Sequence, residues 1–442
     1  MLLKKITMAA VGAAIGATAL ASVPAMAQEG GQYVPGTVYR SGPYAPGGIP
    51  WGDGYGDYFT LLNERDGGIG GVPILYEECD TAYNNDKGVE CYEKMKNKGP
   101  TGASVFQPLS TGITYALLDR LRADKIPMIT SGLGRADATI GSVFPWVFTM
   151  PVTYWAGADA ITQYIKTEEG GSLKGKKIAL VYHDSAYGKE PIKTMETLSE
   201  REGFQLDLFP VPHPGLEQKA TWLKIGRQLR PDYVVMWGWG VMNSTAIKEA
   251  AAVGFPMDKF IGVWWSGSEV DTVPAGDAAK GYKAAQFVMA GKDFPVLSDI
   301  RTHVYDKNKG LGKVEELGSV IYNRGIAAAV LTAEGIKVAQ EKFGKKPLTG
   351  EEVRWGIENI NLSPERLKEL GLTGLINPVK LSCNDHEGGG DVIMTQWTGT
   401  EWKPVSDWIK PNREAYLRGM YEESAMQYAK EKGIEPRDCS KE

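Results

Sequence analysis

The chain contains little that would build a catalytic or metal centre. Only four of its 442 residues are histidine and four are cysteine, and no two cysteines form a C-x-x-C pair. No G-x-S-x-G nucleophile motif occurs, and no triad or pair of acids stands out. Asp385, His386 and Glu387 are consecutive and cannot readily surround one ion, so they predict a polar turn. These absences predict a protein that is not an enzyme and needs no metal or cofactor.

Runs of like charge and long apolar runs are also scarce. The chain has 49 basic and 54 acidic residues, a net charge of −5, and no Lys/Arg run stands out. This composition does not favour a nucleic-acid partner. Beyond the N-terminus no window approaches the ~20 apolar residues that a membrane-spanning helix needs. We therefore expect no stable membrane insertion.

The N-terminus has the pattern of a secretory signal peptide over residues 1–27. Lys4 and Lys5 precede an Ala/Gly-rich apolar run at 6–23, and residues 25–27 have the A-x-A cleavage form, with cutting expected before Gln28. A membrane anchor is the alternative, but the run is short and weakly hydrophobic. The pattern predicts export, most simply to the periplasm.

Four cysteines in an exported chain favour disulfides, which persist outside the cytosol. Three connectivities are open, and we favour Cys79–Cys91 and Cys383–Cys439. The first would pin a helix beside the strand preceding it, and the second would tether the C-terminal tail. Metal binding is the alternative use of these thiols.

Apolar strands alternate with helical segments along most of the chain, which predicts an α/β fold with two doubly wound, Rossmann-like lobes. The candidate strands are 72–76, 103–106, 126–129, 177–182, 233–237 and 260–264. In such sheets ligands bind beyond the carboxyl ends of the strands. That rule selects the loops 107–114, 131–137, 183–188, 238–243 and 264–269 as candidate site loops.

Several segments, in this order, resemble the type I periplasmic binding proteins of ABC importers, close to the leucine/isoleucine/valine-binding group. The matching segments are 63–69, 79–80, 126–132, 183–188, 250–254 and 275–281. The resemblance implies a Venus-flytrap fold with three crossovers. Lobe 1 would hold 28–155 and about 286–375, and lobe 2 would hold 156–285 and about 376–442 with the C-terminal tail. It also implies a monomer that delivers a small solute to ABC permease subunits.

The resemblance places the ligand carboxylate on two loops of lobe 1. Ser110 and Thr111 offer hydroxyls beside a helix N-terminus, where anions bind well, although either residue could simply cap that helix. The second loop includes Leu133 and departs from the family pattern at Arg135. That arginine could grip a carboxylate with two hydrogen bonds, or it could pair locally with Asp137.

Aromatic residues occupy the remaining family positions. Tyr187 and Trp239 match cleft aromatics of lobe 2, and Trp51 and Tyr55 match the first strand-to-helix loop. Trp264 falls where amino-acid binders place the glutamate for the ligand's ammonium group, which leaves Trp265 to packing or hinge contacts. Glu269 is the candidate acid to replace that glutamate.

The substitution at Trp264 shapes the expected ligand. A buried ligand cation without an opposing carboxylate is heavily penalised, so we expect a small organic or aromatic acid. One alternative is a branched-chain or other amino acid or an amide, with Glu269 or Asp184 as the compensating acid. Another is a ligand-sensing module that signals through a separate membrane receptor.

Overall fold

The computed structural model describes residues 30–441 of the chain. The predicted signal peptide lies outside the described residues. Within 30–441, none of the helices combines the length and the apolarity that crossing a membrane requires. The described residues form two α/β lobes, each built on its own sheet.

The sheet of the N-terminal lobe is parallel throughout. It contains β1 (Gln32–Val38), β2 (Ile74–Asp80), β3 (Met128–Ile129) and β4 (Val147–Phe148). β1 pairs with β2 and β3 pairs with β4. The segment 103–107, which includes the predicted strand at 103–106, joins the two pairs through the bridges Gly36–Gln107 and Phe106–Met128 and through the hydrogen bond from the Ser104 N–H to the Tyr33 carbonyl.

The sheet of the C-terminal lobe has seven strands. Its members are β5 (Lys177–His183), β6 (Gln205–Val211), β7 (Tyr233–Trp237), β8 (Phe260–Gly262), β9 (Lys283–Gln286), β12 (Val392–Trp397) and β13 (Trp402–Ile409). Their order is β13-β12-β9-β8-β7-β5-β6. The first five in sequence are parallel, and the hairpin β12–β13 adds antiparallel strands at one edge. A further short ladder joins β10 (Asn361–Leu362) to β11 (Val379–Lys380).

Helices cover both sheets. The first seven are α1 (Ala45–Asp66), α2 (Asn85–Met95), α3 (Thr111–Asp124), α4 (Tyr154–Glu168), α5 (Ala186–Lys189), α6 (Ile192–Glu202) and α7 (Lys219–Leu223). The others are α8 (Val241–Ala252), α9 (Glu269–Thr272), α10 (Pro295–Ile300), α11 (Val320–Phe343), α12 (Gly350–Glu358), α13 (Pro364–Glu369) and α14 (Arg418–Lys432). The chain crosses to the C-terminal lobe after β4, returns after β9 and crosses again before β12, which gives the three crossovers of the predicted fold.

The placement of Trp51 and Tyr55 in a strand-to-helix loop is wrong, because both lie inside α1. Their rings stack with centroids 4.9 Å apart in the core of the N-terminal lobe. The family resemblance suggested a loop, but Gly54 in this helix lets α1 approach α11 closely. A Cβ on Gly54 would lie 2.1 Å from the carbonyl oxygen of Tyr322.

The two predicted disulfides are the ones present. Cys79 at the end of β2 bonds to Cys91 in α2, and Cys383 bonds to Cys439 in the tail. The tail also contacts the N-terminal lobe through α14, where Ser424 donates a hydrogen bond to Asp137. The lobe boundaries given above stay predictions, and this contact joins the tail, assigned to lobe 2, to a residue assigned to lobe 1.

Candidate functional site

A cavity of about 20 Å³ lies between the carboxyl ends of the two sheets. Ten residues line it: Tyr39, Tyr83, Leu109, Ser110, Thr111, Leu133, Tyr154, Tyr187, Trp239 and Trp265. Five of them, Ser110, Thr111, Leu133, Tyr187 and Trp239, are residues that the sequence predicted for the site. This volume is far below the ~300–1,000 Å³ of ordinary ligand pockets and has room for about one water molecule, so a larger ligand requires the lobes to move apart.

Aromatic rings form most of the cavity wall. Trp239 and Trp265 meet edge to face with centroids 5.3 Å apart, and Tyr39 meets Tyr83 in the same way at 5.0 Å. Burial raises the pKa of Tyr39, Tyr154 and Tyr187 well above the ordinary tyrosine value. These phenols therefore stay uncharged at neutral pH, and all ten lining residues are neutral there.

Two hydroxyls stand where α3 begins. Ser110 is the N-cap of this helix, and its Oγ accepts a hydrogen bond from the Ile113 N–H at 3.3 Å. Thr111 Oγ1 accepts from the Gly134 N–H at 3.1 Å and lies 3.4 Å from the Tyr154 hydroxyl. The capping role considered for Ser110 is thus present in a residue that also faces the cavity.

The indole N–H of Trp239 is a buried donor in the cavity wall. It has no partner of hydrogen-bond geometry among the described residues. The Trp239 side chain nevertheless interacts with the Tyr39 phenol and offsets part of the rise in the pKa of Tyr39. Because no carboxylate side chain lines the cavity, the indole and hydroxyl donors have no protein anion to bind. A ligand that brings its own acceptor would satisfy them.

The predicted orientation of the tryptophan pair is reversed. Trp265 lines the cavity, whereas Trp264 lies fully buried behind it and stacks on Tyr154 at 5.5 Å. The strand β8 ends at Gly262, and Trp264–Ser266 form a 3₁₀ turn. With about three residues per turn, neighbours no longer point to opposite faces as they do in a strand.

The same turn lets both tryptophans reach one atom of the other lobe. The indole N–H groups of Trp264 and Trp265 donate to the carbonyl oxygen of Gly132 at 2.7 and 2.8 Å. Gly132 follows β3 of the N-terminal lobe, so both bonds cross the cleft. The pair therefore holds the lobes together in the structure described.

Arg135 lies outside the cavity, which corrects its predicted position. Its guanidinium forms a two-pronged ion pair with Asp137 at 2.6 Å, the local alternative noted above. It also lies over the ring of Tyr428, 4.4 Å from the centroid. A side chain so occupied is not placed to hold a ligand in this cavity.

Neither candidate acid lines the cavity. Glu269 is half-buried at the start of α9 and accepts a hydrogen bond from the Val320 N–H at 3.0 Å. Asp184 pairs with Lys189 at 2.6 Å on the surface. Glu269 and Asp184 are thus not placed to compensate a ligand ammonium group.

Sequence reasoning missed five lining residues: Tyr39, Tyr83, Leu109, Tyr154 and Trp265. Tyr39 and Tyr83 follow β1 and β2, so the carboxyl-end rule could have found both. Leu109 lies inside a loop that the rule did select. Tyr154 begins α4 at the first crossover, and no sequence signal marks it as a cavity residue.

A second contact between the lobes centres on Glu190. Its carboxyl group accepts hydrogen bonds from the Tyr115 hydroxyl and, at 3.2 Å, from the Ala136 N–H. Burial raises the pKa of Glu190 to about 8. Burial and the nearby His213 instead lower the pKa of His183 to about 4; its Nε2 lies 2.9 Å from the Tyr44 hydroxyl.

These shifts predict opposite pH slopes of stability. The folded chain binds the Glu190 proton more tightly than the unfolded chain, so stability falls as pH rises from about 4.5 to 8. His183 acts in the other direction between about pH 4 and 6.5. Above pH 6.5 only Glu190, of these two groups, still changes the stability. We expect the free energy of unfolding to fall by about 1.5 kcal/mol between pH 6.5 and 8.

The variant Glu190→Gln tests this slope. It should remove that loss, so that the free energy of unfolding in urea changes little between pH 6.5 and 8 in the variant but falls in the wild type. Glu423→Gln, a change at a surface residue whose side chain makes none of these contacts, is the control and should keep the wild-type slope. An unchanged slope in Glu190→Gln would contradict the assignment.

Comparison with known proteins agrees with this geometry. The family model for periplasmic binding proteins matches residues 9–401. A solved protein from the Pseudomonas fluorescens group, described as an ABC transporter permease, is 44% identical. The match has a TM-score of 0.87 and covers 92% of this chain and 99% of that one.

Two further solved structures carry ligands. A branched-chain amino acid ABC transporter protein from Thermus thermophilus, with bound valine, is 25% identical with a TM-score of 0.74, over 88% of this chain and 100% of that one. A solute-binding protein from R. palustris, in complex with benzoate, is 20% identical and shares the fold with a TM-score of 0.67, over 86% and 97%. No curated protein matches the chain. The chain belongs to the type I periplasmic binding protein family, the solute-binding proteins of ABC transporters.

Proposed function

We propose that this protein captures a small organic or aromatic carboxylate in the cavity between its lobes and delivers it to a membrane permease. One observation carries the proposal: the cavity joins aromatic walls to hydrogen-bond donors and has no charged lining residue. Flat apolar rings favour an aromatic or apolar ligand body. Donors without a protein anion favour a ligand that supplies the anion.

The carboxylate would lie at the N-terminus of α3. This helix has 14 residues, and its first turn presents N–H groups and a positive dipole end to the cavity side. The Ser110 hydroxyl can donate while its oxygen keeps the cap, and the Trp239 indole N–H supplies a second donor. Hydrogen bonds to a charged partner are worth ~1.5–3 kcal/mol each.

A solved relative indicates the scale of the ligand. The cavity as it stands has room for about one water molecule, so binding requires the lobes to move apart. The benzoate complex of the R. palustris relative supports a single aromatic ring with one carboxylate as the ligand. We use benzoate as the probe of the class.

An amino acid is the second candidate, because the T. thermophilus relative holds valine. Its ammonium group would enter a cavity without a carboxylate, at a heavy desolvation cost. The cavity therefore favours the acid without the amino group.

A thermal-shift and calorimetry screen tests the proposal. At a hundredfold excess over Kd, a ligand stabilises the folded state by ~2.7 kcal/mol, which gives a clear rise in Tm. Benzoate and related short acids should raise Tm, whereas valine and benzylamine should not. Stabilisation by branched-chain amino acids alone would overturn the ligand class.

Ser110→Ala separates the ligand role from the cap. We expect the variant to bind benzoate about 10- to 100-fold more weakly, because a charge-assisted hydrogen bond is lost. It should also lose ~1 kcal/mol of stability with the cap. Calorimetry gives the first quantity and urea unfolding gives the second.

The matched control is Ser363→Ala. Ser363 caps α13 with the same 3.3 Å bond to a backbone N–H, and it lies outside the cavity. This variant should lose comparable stability and keep the affinity for benzoate. Equal affinities in the two variants would remove Ser110 from the ligand site.

A further inference from the structure

Arg324 is a buried cation close to the cavity. It lies in α11, and its side chain is almost fully excluded from solvent. Its guanidinium donates to the Gln286 side-chain oxygen, while Nε and Nη1 have no hydrogen-bond partner among the described residues. A charge buried with so few partners is costly, so its presence calls for a reason beyond packing.

The position of Arg324 relates it directly to the cavity wall. The guanidinium carbon lies 5.3 Å from the ring centroid of Trp265 and 5.8 Å from that of Phe287. Trp265 lines the cavity, whereas Arg324 does not. The cation is therefore separated from the ligand space by one aromatic ring.

Two acids near Arg324 offset part of its charge, although their hydrogen bonds go to other groups. Glu269 accepts from the Val320 N–H, and Asp271 accepts from Ser268 and Asn243. Within residues 30–441, neither acid forms an ion pair with Arg324. Their charges oppose the burial that lowers the pKa of Arg324 to about 9, so the arginine keeps its proton at pH 7.

We infer that Arg324 is a specificity-determining residue, whose charge behind Trp265 makes the cavity prefer an anionic ligand over a neutral ligand of the same shape. This inference rests on the proposed function and names the group that discriminates within it. Charges act over longer distances in a protein interior than in water. The cavity has no cation in its lining, and the charge of Arg324 behind the wall opposes the negative charges of Glu269 and Asp271.

The same arrangement disfavours a cationic ligand. An aromatic face attracts cations through its negative potential. The Arg324 guanidinium already lies over the Trp265 ring, so its positive charge repels a second cation nearby. The aromatic cavity thus does not act as a cage for ammonium groups.

A purely structural role for Arg324 makes a different prediction. Arg324 connects α11 of the N-terminal lobe with Gln286 at the end of β9 in the other lobe. If this link alone mattered, its loss would weaken acid and neutral ligands by the same factor. The ratio of the two affinities therefore distinguishes electrostatic selection from positioning.

The test compares benzoate with benzamide, a neutral analogue of nearly the same shape, by calorimetry at pH 7 and low salt. The wild type should prefer benzoate. In Arg324→Gln the preference should fall about tenfold or more, which corresponds to about 1.4 kcal/mol. Arg324→Lys keeps the charge and should keep most of the preference. Arg324→Met is the second neutral variant if the glutamine variant does not fold.

The outcomes separate the two proposals. If the wild type binds benzoate more tightly than benzamide and the neutral variants keep the same ratio of affinities, Arg324 does not determine specificity. The proposed function is then unaffected. A lysine variant that loses as much preference as the neutral variants also overturns it. A wild type that binds benzamide as well as benzoate overturns both the inference and the acid as ligand.

Discussion

Trp265→Ala should weaken the binding of benzoate by about a hundredfold or more, the largest effect we expect from one cavity substitution. The change removes a wall of the cavity, a hydrogen bond between the lobes and the ring that separates Arg324 from the ligand. Buried aromatic anchors often contribute more than ~2 kcal/mol to binding. Calorimetry on the purified variant measures the loss directly, and an unchanged affinity would show that the ligand binds elsewhere.

The neighbouring tryptophan provides the control. Trp264→Phe and Trp265→Phe each delete one indole N–H bond to the Gly132 carbonyl. Because only Trp265 lines the cavity, the difference between their affinities isolates the direct contact of that ring with the ligand. Trp265→Phe should bind more weakly than Trp264→Phe, and the reverse order would contradict the observed orientation of the pair.

Gly54→Ala should cost several kcal/mol of stability, the largest loss we expect from adding one methyl group. The new Cβ would lie 2.1 Å from the Tyr322 carbonyl oxygen, which is backbone and cannot rotate away. The helices α1 and α11 would have to separate, and such overpacking typically costs ~1–3 kcal/mol and occasionally more. Urea unfolding followed by circular dichroism measures the change.

Gly419→Ala is the same substitution in an open position. Gly419 lies in α14, and a Cβ there would meet no atom within 4 Å. In a helix interior, alanine is more stable than glycine by ~0.5–1 kcal/mol. The two variants should therefore change stability in opposite directions, and a loss of stability in both would show that close helix packing is not the cause at Gly54.

The glycine-rich start of α1 shows why part of the fold escaped prediction. Residues 47–56 contain five glycines and a proline, and local propensity favours a loop there. The structure makes a helix because several of these glycines, Gly54 among them, let neighbouring elements approach at distances that a Cβ would prevent. That advantage depends on Tyr322, more than 250 residues away in sequence, and no local pattern contains it.

The candidate site was predictable where it depends on strand ends and unpredictable where it depends on turns. The carboxyl-end rule selected the loops that contain Ser110, Thr111 and Trp239, and the family resemblance singled out these residues within them. The orientation of Trp264 and Trp265 depends on where β8 stops, and two residues of difference reversed it. Arg135 was misplaced because Asp137, two residues on, takes its guanidinium.

The shared carbonyl of Gly132 has an optical consequence. Its two indole donors lie in a dry, apolar setting while the lobes are together, and both lose this partner if the lobes part. Water would then reach the two rings and shift their emission to longer wavelengths. The tryptophan pair thus makes closure of the protein visible in its own fluorescence, without an attached dye.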